Sequence, residues 1–218
     1  MAVTVLDRAW LFRRLQPLAQ HQRGAFAASC AQRLAPGVLA SPAVRVERPD
    51  DLRVAQGLLS ELWVAAISGP AARLGPLVRA VERMPELTAQ EQWQGRGTYQ
   101  THALATLLYA GRSWEPSPTN HVVQCAQCAF DTAAFLDRQL DPTPVDPLED
   151  VRALIDHGIP VPHPPSGPFQ PRELQRQRED LAAISAADPE AWETVLAQMR
   201  QASESYAREF LAAVESTM

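Results

Sequence analysis

The sequence predicts an all-α fold, a compact bundle of about eight to ten helices tied by a proline-rich strapping loop. Three observations carry that expectation. Apolar residues recur at helical spacing in nearly every segment of the 218-residue chain. Strand-like alternation is confined to the short Ala43-Val-Arg-Val-Glu47 stretch. Pro, Gly, Asp and Thr fall where helices would begin and end. With 46% hydrophobic and 21% charged residues, the chain has an ordinary globular composition, and residues 1–218 are expected to form one helical domain.

A first helix is expected from Thr4, turning Leu6, Trp10 and Leu15 inward; Pro17 opens a second, carrying Leu18, Phe26, Cys30 and Leu34 until Pro36 and Gly37 stop it. A loop runs to Pro49. Asp50 then caps a third helix, whose Leu52, Ala55, Leu59, Leu62, Trp63 and Ala66 make a stripe broad enough for a central element, ended by Gly69 and Pro70. Pro70 or Pro76 opens a fourth through Leu77, Val78 and Val81, and Thr88-Ala-Gln-Glu91 reads as a capping box for a short fifth. Gly95 and Gly97 break the chain. Thr98 begins a sixth helix through Tyr99, Ala103, Leu107 and Leu108 before Gly111, and Thr119 or Asn120 caps a seventh through Phe130, Ala134 and Phe135. These two are expected to pack as the core pair, closing a set of core helices within 4–140. Proline density marks 141–171 as a strap or linker, interrupted by one short helix from about Pro147 to His157. A C-terminal helical pair follows in 172–216, its second member capped by Asp188 and running through Trp192, Met199, Tyr206 and Phe210.

Composition narrows the function. Lysine is absent, so all 20 basic residues are arginine, and Asn120 is the single asparagine; this is the mark of GC-rich codons and points to a bacterial source. A net charge of −5, with Arg13, Arg14, Arg172, Arg176 and Arg178 interleaved with Gln and Glu, disfavours nucleic-acid binding. No apolar run approaches the roughly 20 residues of a membrane span. Three cysteines without a leader-like N-terminus suit a reducing cytoplasm.

The one constellation with chemical character is His121-Val-Val-Gln-Cys125-Ala-Gln-Cys128, whose spacings of four and three put an imidazole and two thiols on one helical face. As zinc ligands the three lack a fourth; Asp131, His102 and His163 are candidates, but ligands stacked on single turns of one helix wrap an ion poorly. As a redox dithiol, Cys125 lies too far inside its helix for the N-terminal dipole to lower its pKa. Helical peroxidase-reductases of the alkylhydroperoxidase-D type carry a His four residues after the second Cys, and that place is held by Thr132. The favoured reading makes Cys30, Cys125 and Cys128 small core residues. Glu61, Glu82, Glu86, Glu91 and Asp131 are read as solvated helix faces rather than paired catalytic carboxylates. Trp10, Trp63 and Trp192 are read as packing groups, whereas Trp93 and Trp114, beside glycine-containing turns, are the choice for a partner-contact patch.

Several segments together resemble the YjaG-like family of bacterial proteins, domain-of-unknown-function family 416. They are Leu11-Phe-Arg-Arg-Leu15, Ala25-Phe-Ala-Ala-Ser-Cys-Ala-Gln-Arg-Leu34, the Leu52 to Trp63, Thr98 to Gly111 and His121 to Phe135 helices, and Glu173-Leu-Gln-Arg-Gln-Arg-Glu179 with the helix after it. The resemblance implies a compact helical fold and cytosolic, dimer-forming proteins, and supplies no activity, cofactor or catalytic residue. The thiols on the His121 helix, where small or polar residues usually sit, and the proline-rich insert depart from the family pattern. The function expected is therefore non-catalytic and cofactor-free: association with a protein partner, immunity-type inhibition included, or a homodimer. The alternative is a thiol oxidoreductase using Cys125 and Cys128 with His121 as base, or a metal-binding variant of it.

Overall fold

In the computed structural model, residues 6–89, 96–115, 118–141 and 167–217 are described. Among them every regular element is helical. The helices are α1 (Arg8–Leu15), α2 (Gln20–Leu34), α3 (Pro36–Leu39), α4 (Pro42–Glu47), α5 (Pro49–Ser68), α6 (Leu74–Glu82), α7 (Pro85–Thr88), α8 (Arg96–Arg112), α9 (Pro118–Leu140), α10 (Phe169–Ala186) and α11 (Trp192–Ser216), the last preceded by a 3₁₀ turn at Pro189–Ala191. The expected short helix near 147–157 lies outside the described residues, as does most of the expected fifth helix; the described chain there ends in the single turn of α7.

Local chemistry explains the boundaries, including those that differ from expectation. The first helix starts at Arg8 rather than Thr4, because Asp7 accepts a hydrogen bond from Trp10 N at 2.9 Å and caps it. The second starts at Gln20, beyond Pro17, with Gln22 folding back to take the Ala19 N–H at 2.9 Å. Pro36 and Pro42 open helices where a stop and a loop are expected, since proline is favourable at a first helical position. The strand-like Val44 and Val46 lie in α4, one buried and the other exposed. A step of two residues turns about 200° on a helix, so over five residues it imitates strand alternation. Pro49, not Asp50, begins α5; Asp50 and Asp51 occupy its first turn, and Gly69, at φ +84°, ends it in a conformation that favours glycine.

Gly111 is the penultimate residue of α8, one before the helix ends at Arg112. It lies inside α8, where a Cβ would stand 2.4 Å from Val78 Cγ2, so its missing side chain lets α6 press against α8.

The bundle centres on α2 rather than on α5. Residues Gly24 to Ala31 are buried without interruption, the pattern of a helix covered on every side, and α5, α8, α9, α10 and α11 pack around it. The α8–α9 pair packs together as expected. α5 lies further out: Ala55, Leu58, Leu59, Leu62, Trp63 and Ala66 face the core, while Ser60, Val64 and Ile67 face outward. Asp137 of α9, fully buried, accepts the Phe169 and Gln170 N–H groups at 2.9 and 2.7 Å and so caps α10 from a neighbouring helix. No described helix is long and apolar enough to cross a membrane.

Candidate functional site

The thiol face of α9 turns into the core. Cys125 is fully buried, its Sγ within 3.5 Å of the Ala27 carbonyl on α2 and 3.4 Å of the Thr106 carbonyl on α8. Burial, then the neighbouring Cys30, push its pKa well above the ordinary thiol value. Cys128 is half-buried, and burial with nearby Asp131 pushes its thiol up to about 11. Both shifts suppress the thiolate that a redox or metal-binding cysteine needs. His121 is half-buried and stacks on Tyr109 at 6.3 Å. Of the other candidate ligands, His102 Nδ1 sits 3.2 Å from Thr132 Oγ1 and burial lowers its pKa; Asp131 accepts from Gln127 Nε2 at 2.7 Å; His163 lies outside the described residues. Among the described residues no group of three His, Cys, Asp or Glu side chains is placed to hold a metal ion.

A second constellation was not legible as a site. Arg33 of α2 is fully buried and grips α10: Nε and Nη2 donate to the two Glu173 oxygens at 2.8 and 2.9 Å, and Nη1 donates to Asp180 at 2.7 Å. Nη2 also lies 3.3 Å from Cys30 Sγ, and Ser203 of α11 lies 3.5 Å from Nη1. Ser29 donates to Asp180 at 2.7 Å, and Gln177 donates to Glu173 at 2.9 Å. Burial alone would lower the guanidinium pKa, but the Glu173 and Asp180 carboxylates more than reverse it, so Arg33 stays protonated. Its donors are engaged by protein groups, and the arrangement ties three helices together. The available signal was placement: Arg33 shares the inward stripe of Phe26 and Cys30, and Glu173, Gln177 and Asp180 recur at i, i+4 and i+7.

The candidate carboxylates are not brought together. Glu86 is buried and held by the Arg48 fork, Glu82 pairs with Arg112, and Glu61 pairs with Arg73; Glu91 lies outside the described residues. Glu61 is nonetheless distinctive. Its side chain is only 3% exposed, yet it borders a surface groove of about 360 Å³ between α5 and α6, with Gly57, Ser60, Arg73, Pro76 and Leu77 as the other walls. Another opening, about 110 Å³, lies between α3, α8 and α11 over Tyr99 and Phe210.

Of the two tryptophans expected to contact a partner, Trp93 lies outside the described residues. Trp114 is half-buried with its ring across α2, where a Cβ on Gly24 would stand 2.2 Å from it, so it packs against the bundle.

These features define a helical bundle protein whose thiols and buried charges are directed inward. Its fold is that of a DUF416 family protein from Shewanella baltica OS155, whose crystal structure superposes with a TM-score of 0.60 over 88% of this chain and 93% of that one, at 16% sequence identity. The resemblance to domain-of-unknown-function family 416 thus holds at the level of the fold. No protein-family model matches the sequence, and no curated protein gives a significant match.

Proposed function

We propose that this is a non-catalytic protein that acts by association, through the outer face of α5, with another protein or a second copy of itself. The observation carrying this reading is that α5 exposes Val64 and Ile67, by 41% and 50%, one and two turns beyond a groove that holds a buried carboxylate. Apolar contacts beside a recessed charge match an interface core with a specificity-setting polar group. The raised thiol pKa values of Cys125 and Cys128 support placing the function away from the α9 face.

A photo-crosslinking amino acid at position 64, compared with one at exposed Arg178 on α10, tests the reading in the source cell. A discrete adduct from position 64 and none from position 178 is the expected result. No adduct, or equal adducts from both, overturns it.

A further inference from the structure

We propose that the opening between α3, α8 and α11 is a binding site for a small organic cation of amino-acid size: a primary ammonium beside a neutral carbonyl, carried on a short apolar body. The site shares no residue with the outer face of α5 and is independent of the association reading.

Its walls are set by close packing. A Cβ on Gly37 would stand 2.9 Å from the Tyr99 carbonyl oxygen, so α3 rests directly on α8, and Pro36, Gly37 and Ala40 form one side of the opening. Phe210, Leu211 and Val214 of α11 form another. The Tyr99 and Phe210 rings meet edge to face beneath, with centroids 6.1 Å apart. The space of about 110 Å³ is well under the roughly 300–1,000 Å³ of sites that take drug-sized molecules, so the occupant is small.

Three polar groups border this space, and each has hydrogen-bonding capacity that the described protein does not use. Ser41, only 6% exposed, accepts from Gln100 Nε2 and from the Val44 N–H; among the described residues its own O–H meets no acceptor. Gln100 spends Nε2 on Ser41, which leaves Oε1 as an acceptor without a described donor. Glu215, near the end of α11, is exposed and pairs with no described cation. None of the lining residues is basic.

The matching ligand follows from that set. A primary ammonium carries three N–H donors and the positive charge that suits Glu215 and Gln100 Oε1. The Ser41 O–H calls for an acceptor, and a carboxylate is disfavoured beside Glu215, so that acceptor is a neutral carbonyl. Phe210, Leu211 and Val214 take a short apolar body.

The test is an NMR titration of the full chain with three probes: leucinamide, isocaproamide, which lacks the amine, and leucine, whose carbonyl is a carboxylate. Leucinamide should shift Gly37, the Gln100 side-chain amide and Val214, and should bind about fivefold or more tightly than either of the others. Glu215→Gln should weaken leucinamide about fivefold and leave isocaproamide unchanged. Ala40→Phe, which fills the space, should abolish the response; if that variant folds poorly, Ala40→Leu takes its place. No saturable leucinamide binding, equal binding of isocaproamide or of leucine, or binding that survives filling at position 40 would overturn the proposal.

Discussion

Replacing Arg33 with methionine should be among the most damaging single changes in this protein. The guanidinium makes five contacts, to Glu173 twice, Asp180, Ser203 and Cys30, all from a fully buried position. Methionine approximates the length of the stem but makes none of them. It leaves Glu173, at 0% exposure, and Asp180, at 6%, as two neighbouring buried carboxylates without a cation. Breaking a buried pair from one side costs about 3–5 kcal/mol. Against a typical total of roughly 5–15 kcal/mol, that is about a fifth of the stability or more. For a chain of this size it corresponds to a fall in Tm of roughly 6–20 °C. Urea unfolding followed by circular dichroism measures it. The triple variant Arg33→Met/Glu173→Leu/Asp180→Leu, which removes both charges along with their partner, should recover most of the loss. A loss below about 1 kcal/mol would refute the reasoning, because the three groups would then contribute no more than an exposed ion pair.

Three further outcomes follow from the same geometry. Asp137→Ala should cost about 1–2 kcal/mol by uncapping α10, and hydrogen exchange should quicken first at the Phe169 and Gln170 amides that Asp137 holds. His102 is depressed by burial, only partly offset by Asp131, so the unfolded chain binds more protons than the folded one as pH falls below about 6.5. Stability should therefore drop as pH falls from that unfolded value towards the lower folded one; His102→Gln should flatten this slope in urea midpoints, and an unchanged slope would contradict the assignment. With Cys128 at about 11 and Cys125 higher than an ordinary thiol, iodoacetamide should label neither appreciably at pH 7.5, and mild oxidation should give no disulfide between them by intact mass.

Several helices were legible because they bury one face against neighbours, and burial writes a 3.6-residue period into α5, α9 and α11. Boundaries were less so. Proline and glycine carry different messages by context: Pro36 and Pro42 start helices, and Gly111 lies within α8 to admit Val78. Centrality was misjudged for a related reason. The stripe on α5 is broad and rich in large apolar groups, whereas the stretch Gly24 to Ala31 of α2 is buried without a break yet made of small residues around the single Phe26, which gives little hydrophobic bulk to mark it as central. The His121, Cys125 and Cys128 spacing correctly placed three groups along one helix, but spacing does not say whether that face meets solvent or the Ala27 and Thr106 carbonyls. Arg33 and Glu61 were hidden for the opposite reason. Charged residues default to solvent in a one-dimensional reading, and only the packing of α10 on α2, or the recess between α5 and α6, shows that these two are buried.

The proposed function lies on the outer face of α5 and not on the thiols of α9. The most direct measurement is the mass, by light scattering after size exclusion, of the native assembly recovered from the source cell for wild type, Val64→Glu/Ile67→Glu and Cys125→Ala/Cys128→Ala. The account predicts that wild type and the cysteine variant share one assembly mass while the α5 variant falls to the mass of a single chain. An α5 variant that keeps the assembly, or a cysteine variant that loses it, would contradict the account.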